Sequence, residues 1–372
     1  MNQPSSIGSV QMASLFLFFM TGSSIVLVPS PLTHEAGAGA WISLLLAWCM
    51  GAVYLACILY LYRKHPDLSL VGSSRLALGK LPANLLMIPV VVLMFWNVAG
   101  IVSEIGLFFR STMLKETPTY VVNSLMFVMI SLTARAGIVV IARMSALLLA
   151  MMVAFIVVVL LLVWNLYEPD FLLPILPNGM GPVLHAAYIV YGFPYSELIV
   201  FAFILPLVRR EESHKVRKHL YIALSINGLL LMLSVIGSLM VLGPLTGDLK
   251  YSLFQLARLI FVREIIERIE SIIGFSLIVG FYFKASILLF ILVRTVAEWL
   301  NLRDEKLFTL PIAFVCLLLS VTTYTQEASL DEMVNVVWPL LNNLCYVLPM
   351  LAVAAVTLVR RQSPPDASRS PE

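Results

Sequence analysis

Thr21-Gly22-Ser23-Ser24, trailed by Pro29-Ser30-Pro31, interrupts one apolar run, and Tyr191-Gly192-Phe193-Pro194-Tyr195-Ser196-Glu197 interrupts another. Each places a glycine with small or polar neighbours near the middle of a stretch long enough to cross a membrane. Outward from these two breaks, apolar stretches of about 17–25 residues recur along the chain, the length a helix needs to cross the hydrocarbon core. Ten are expected, over residues 10–29, 41–62, 85–109, 120–133, 142–165, 184–208, 220–242, 272–293, 308–325 and 336–359. Their uninterrupted hydropathy predicts helices, because a membrane barrel would alternate apolar and polar residues. The breaks then fall in the first and sixth spans, the opening members of two successive groups of five. Paired Gly/Pro interruptions at corresponding positions point to a 5+5 inverted-repeat transporter fold with its site at the breaks. The competing reading is that Gly22 and Gly192 only let helices pack closely. Two breaks in register favour the binding site.

Composition agrees with this all-α polytopic class. Of 372 residues, 60% are hydrophobic and 12% charged, against about 45–50% and 25% in soluble domains. So few charges cannot cover a soluble surface, which excludes cytosolic enzymes, secreted disulfide scaffolds and nucleic-acid binders. With the N-terminus inside, 17 of the 24 Lys and Arg residues fall in inner loops. The outer loops at 166–182 and 326–335 contain none. The positive-inside rule therefore places both termini in the cytoplasm. Residues 1–361 read as the transmembrane domain and 362–372, rich in Ser and Pro, as a disordered cytoplasmic tail. The first span has no basic segment before it and is expected to be retained, despite the cleavage-like Ala36-Gly37-Ala38. Cys49, Cys57, Cys316 and Cys345 lie inside expected spans and read as buried small hydrophobes.

Charges inside the spans are the candidate functional groups, since each costs at least about 2.5–3.5 kcal/mol at a helix centre unless paired or hydrated. Glu104 shares a helical stripe with Asn97 and Gly100, and Lys284 shares one with Gly280 and Ser276. Both lie within reach of a span end, so snorkelling to the interface is an alternative for each. Glu197 is deeper, just after the sixth-span break. Its carboxylate suits an α-ammonium group, and the backbone amides around Gly22, Ser23 and Ser24 suit an α-carboxylate. Tyr191, Gly192 and Tyr195 complete the expected lining of a cavity for an amino-acid-sized zwitterion. The outer stretch 251–273 reads as an amphipathic helix, with Glu264 and Arg268 at i,i+4, that lies on the membrane, caps the cavity or docks a partner. No P-loop, H-E-x-x-H or G-x-S-x-G pattern is present, so neither an enzyme nor a primary ATP-driven pump is expected, and no cofactor or metal.

Several segments together are similar to one family. His34-Glu35-Ala36-Gly37-Ala38-Gly39-Ala40-Trp41-Ile42-Ser43 resembles the "EAG…AWIS" stretch of the B-subunit family of spore germination receptors, the endospore germination permeases. Arg258-Leu259-Ile260 with Glu267-Arg268-Ile269-Glu270, and Gly192 with Ser196-Glu197, resemble further elements in the family's order. Two departures are visible: Ala38-Gly39 replaces a usually polar pair, and Phe193-Pro194-Tyr195 lengthens the glycine–glutamate interval. The resemblance implies the broken-helix fold of the amino acid–polyamine–organocation superfamily. It further implies a nutrient-sensing subunit, in the spore inner membrane, that binds an amino acid or another small nutrient. Such a subunit would signal to an A-type membrane subunit and a C-type lipoprotein. An ion-coupled amino acid transporter is the alternative, because fold alone does not settle function, and a structural scaffold is the third class.

Overall fold

The computed structural model describes residues 6–112, 114–176, 179–260, 269–323 and 333–359. Among them, ten helical segments are long and apolar enough to cross a membrane, which makes the chain a multi-pass membrane protein. The first span holds α1 (Ser9–Thr21) and a short continuation α2 (Ser24–Leu27). Pro29 then starts α3 (Pro29–Ala36), using the one helical position where a missing N–H costs nothing. Gly37, at φ 55°, turns the chain into α4 (Ala40–Lys64), the second span. A short amphipathic helix, α5 (Leu70–Leu78), is capped by Ser69, whose hydroxyl accepts from the Val71 and Gly72 amides at 3.1 and 3.3 Å.

Spans three to five are α6 (Lys80–Thr112), α7 (Thr119–Ala136) and α8 (Ile138–Leu162). The sixth opens with α9 (Met180–Gly192), and α10 (Ser213–Leu242) forms the seventh. A largely buried helix, α11 (Ser252–Arg258), precedes α12 (Ile269–Leu300), the eighth span. The last two are α13 (Thr309–Thr323) and α14 (Met333–Val359). The expected boundaries hold to within five residues except at two ends, one being the start of α10, seven residues before its expected start. α12 reaches seven residues beyond its expected inner end, because Thr295 and Ala297 stay buried there.

Of the alternatives for 251–273, the membrane-surface one is excluded over residues 251–260. Leu253, Phe254 and Leu256 of α11 are buried inside the protein, so this segment covers the bundle instead of lying on the membrane. Glu264 and Arg268 lie outside the described residues, as does the expected tail. Of the four cysteines read as buried, Cys316 is, whereas Cys49 is exposed and Cys57 and Cys345 are half-buried.

Before α1 the chain pairs with the segment that follows the sixth span. The Ile7 amide donates to the Leu207 carbonyl at 2.9 Å, and the Arg209 amide donates to the Ile7 carbonyl at 3.0 Å. Glu212 then caps α1, accepting from the Ser9 amide and the Ser9 hydroxyl, both at 2.8 Å. The two broken spans thus share one anchorage on the basic face of the membrane.

Candidate functional site

The two breaks differ in depth, for reasons visible in their sequences. Gly22 keeps helical angles (φ −53°, ψ −35°), so the first span bends at Ser23 without unwinding. The Gly22 amide donates to Phe18 at 2.7 Å and is spent inside the helix, which corrects its expected role as a free carboxylate donor. α10 serves the polar groups around the bend: Asn227 donates to the Thr21 hydroxyl at 3.0 Å and Ser234 to the Ile25 carbonyl at 2.8 Å. In the sixth span α9 stops at Gly192, Phe193 is extended (φ −149°, ψ 115°), and a cis peptide precedes Pro194. A residue before proline is pushed out of the helical region, so Phe193-Pro194 forces the break that Gly192 only permits. The chain continues as a 3-10 run, Tyr195–Phe203. The Gly192 carbonyl freed by the break accepts from Asn342 of α14 at 2.7 Å and from Ser196 at 2.6 Å, as a lipid-embedded break requires.

Between the bends lies an ion pair. The Lys284 ammonium donates to Glu197 Oε2 at 2.7 Å and to Ser23 Oγ at 3.1 Å. It also faces the rings of Phe193 and Phe19, 4.4 and 4.8 Å from their centroids. Lys284 is 0% exposed and Glu197 and Ser23 are 1% exposed; no snorkelling occurs. α12 comes this close because Gly22 and Gly280 pack backbone to backbone. A Cβ on Gly280 would sit 2.2 Å from the Gly22 carbonyl oxygen. The structure therefore unites Ser23, Glu197 and Lys284 from three spans, and Lys284 takes the position at Glu197 expected for a ligand ammonium.

Glu104 belongs to a second cluster, toward the end of α6 where Lys250 and Tyr251 pack. Its carboxylate lies 3.2 Å from the Lys250 ammonium and accepts from the Tyr251 hydroxyl at 3.1 Å. Beside this cluster a cavity of about 250 Å³ is lined by Ser30, His34, Glu35, Glu104, Asp248 and Lys250. His185 Nδ1 holds Glu35 at 2.9 Å from the cavity edge. Both signs of charge line one amino-acid-sized space, above the sealed pair at the bends.

The remaining expected residues are structural in this conformation. Asn97 donates to the Tyr346 hydroxyl at 3.0 Å, tying α6 to α14. Tyr191 stacks edge-on with Tyr54 of α4 at 6.4 Å. Tyr195 packs against Gly51, where a Cβ would meet its ring at 2.7 Å. Ser24 donates to the Met20 carbonyl, spanning the bend from α2 back to α1. Lys250, Tyr251 and Asn342 escaped the sequence reading. The adjacent Asn342-Asn343 inside an apolar span was a usable signal for one of them, and nothing in sequence links Lys250 to Glu104.

Comparison with known proteins agrees with this architecture. The family model described as spore germination protein matches residues 6–329. Spore germination protein KB of Bacillus subtilis (strain 168) is 27% identical over 332 residues, covering 88% of either chain. Among solved structures, MhsT in complex with L-phenylalanine superimposes with a TM-score of 0.73 at 12% identity, over 95% of this chain and 93% of its own. The nucleobase-cation-symport-1 family transporter Mhp1 gives 0.73 at 14% identity, over 96% and 80%. These neighbours share the 5+5 broken-helix transporter fold with this chain. The chain belongs to the spore germination protein family, the B-subunit family of germinant receptors.

Proposed function

We propose that this protein is the nutrient-sensing membrane subunit of a germinant receptor, and that it binds a free amino acid in the outer cavity and passes the event to partner subunits. The observation that carries the reading is the pairing of a doubly charged cavity with a sealed ion pair directly on the helix breaks. In the cavity, Lys250 suits an α-carboxylate, and Glu104 with Glu35 suits an α-ammonium. The likeness to a fold solved with L-phenylalanine supports the ligand class. Below the cavity, the Lys284–Glu197 pair holds the two bent spans together.

A ligand that prefers the arrangement in which these spans part shifts the equilibrium by its differential affinity, and no net transport is required. A-type and lipoprotein C-type subunits in the spore inner membrane would read that shift, with both termini of this chain in the cytoplasm.

Deleting the gene and scoring spores against amino acids, sugars and nucleosides tests the reading, with uptake by growing cells measured alongside. Loss of the spore response to amino acids with uptake unchanged is expected. Lost uptake with normal germination would make the protein a transporter. Within the site, Glu104→Gln should raise the amino acid concentration needed for half-maximal germination by about 10- to 100-fold, the worth of one charge-assisted contact. Immunoblots of spore membranes should show unchanged abundance. A dose–response curve that does not move removes Glu104 from the site.

A further inference from the structure

A second and larger cavity, about 590 Å³, lies at the basic face of the membrane between the end of α4 and the start of α10. Arg63 and Arg217 line it, with His214 and Ser213 beside them. Among the described residues, neither guanidinium has a carboxylate partner. Of the acids near them in sequence, Asp67 holds Arg210 through two contacts at 2.7 and 3.1 Å, Glu212 caps Ser9, and Glu211 is exposed and outside the lining. The lining therefore holds two guanidiniums and no carboxylate. Two planar, weakly hydrated forks suit a phosphate oxyanion better than ammonium groups would.

The walls identify which phosphate fits. Tyr221 of α10 donates to the Ala52 carbonyl at 3.3 Å, and Trp48 of α4 donates to the Leu224 carbonyl at 3.1 Å, so the floor is a fixed seam between the helices. Ala56 lines the cavity, and Val53, one turn further into the membrane, is 67% exposed. Basic groups at the interface thus lead onto an apolar stripe that runs along the span, matching a headgroup with a chain attached. We propose that this cavity binds the phosphodiester headgroup of an anionic phospholipid, held by Arg63 and Arg217, with an acyl chain along Ala56 and Val53.

The experiment is native mass spectrometry of the purified full-length protein with added phosphatidylglycerol, phosphatidylcholine or inorganic phosphate. Wild type should retain phosphatidylglycerol in preference to phosphatidylcholine. The double variant R63Q/R217Q should lose that retention about tenfold or more, whereas R110Q, on the opposite face, should not. Arg217→Lys, which keeps charge but removes the fork, should lose retention in part, and it serves as the second reading if the double variant is not monodisperse. Equal retention of the two lipids, or retention unchanged in the arginine variants, overturns the proposal. Displacement of the lipid by millimolar inorganic phosphate, with phosphate retained in its place, assigns the cavity to a soluble anion and also overturns it.

Discussion

Lys284→Met should destabilise the purified protein by about 3–5 kcal/mol, the usual loss when one member of a buried ion pair is removed. The methylene stem is nearly reproduced by methionine, so packing against Phe19 and Phe193 survives. What remains is a carboxylate at Glu197, 1% exposed, with its 2.7 Å partner gone. Glu197→Gln should cost a comparable amount by stranding the ammonium. The double variant Lys284→Met/Glu197→Gln should recover most of the loss, because no uncompensated charge is left. Thermal unfolding of the four proteins in one detergent checks this cycle. Additive losses would show that the two residues are not coupled, and the ion pair could not then be what joins the bent spans.

Gly280→Ala should do comparable damage by a different route. Its new Cβ would lie 2.2 Å from the Gly22 carbonyl oxygen and 3.1 Å from the Gly22 carbonyl carbon. The obstacle is backbone in a packed helix, not the tip of a flexible side chain, so α1 and α12 must separate. Overpacking costs about 1–3 kcal/mol in ordinary cores and more where neither side yields. Here the separation would also draw Ser23 away from Lys284. Gly22→Ala should be milder, since its Cβ would approach the Gly280 oxygen at 2.8 Å. Gly181→Ala, where a Cβ meets nothing within 4 Å, is the neutral comparison. Membrane abundance and melting temperature should fall in the order Gly181→Ala, Gly22→Ala, Gly280→Ala. Wild-type behaviour of Gly280→Ala would mean that the two helices are not in backbone contact.

The ten spans and both interruptions were legible because a membrane leaves few options: apolar length dictates helix, and Pro194 after Gly192 dictates a break. The charges inside the spans were legible for the same reason, since an unexplained Glu or Lys there is costly. Which charges meet was not legible. Glu197 and Lys284 are 87 residues apart, and Glu104 and Tyr251 are 147 apart. Glu104 and Lys284 sit on comparable polar stripes, yet one faces a cavity and the other a sealed contact. Helical spacing gives the face of a residue but not the depth or tilt of its helix. The depth of the first break was also hidden, because Gly22 tolerates a bend as readily as an unwound turn.

The clip joining Ile7 to Leu207 and Arg209 has a mechanical consequence. The first and sixth spans are fastened to each other at their membrane-face ends and again, through Lys284, at mid-membrane. Together with α12 they form a closed linkage, and a closed linkage transmits rotation where two loose rods would only splay. While Lys284 bridges Ser23 and Glu197 the two spans turn together, and any movement that parts Glu197 from Lys284 opens the linkage and leaves them hinged at the clipped end. A neighbouring subunit that grips either span near residue 7 or residue 208 would feel the displacement of both.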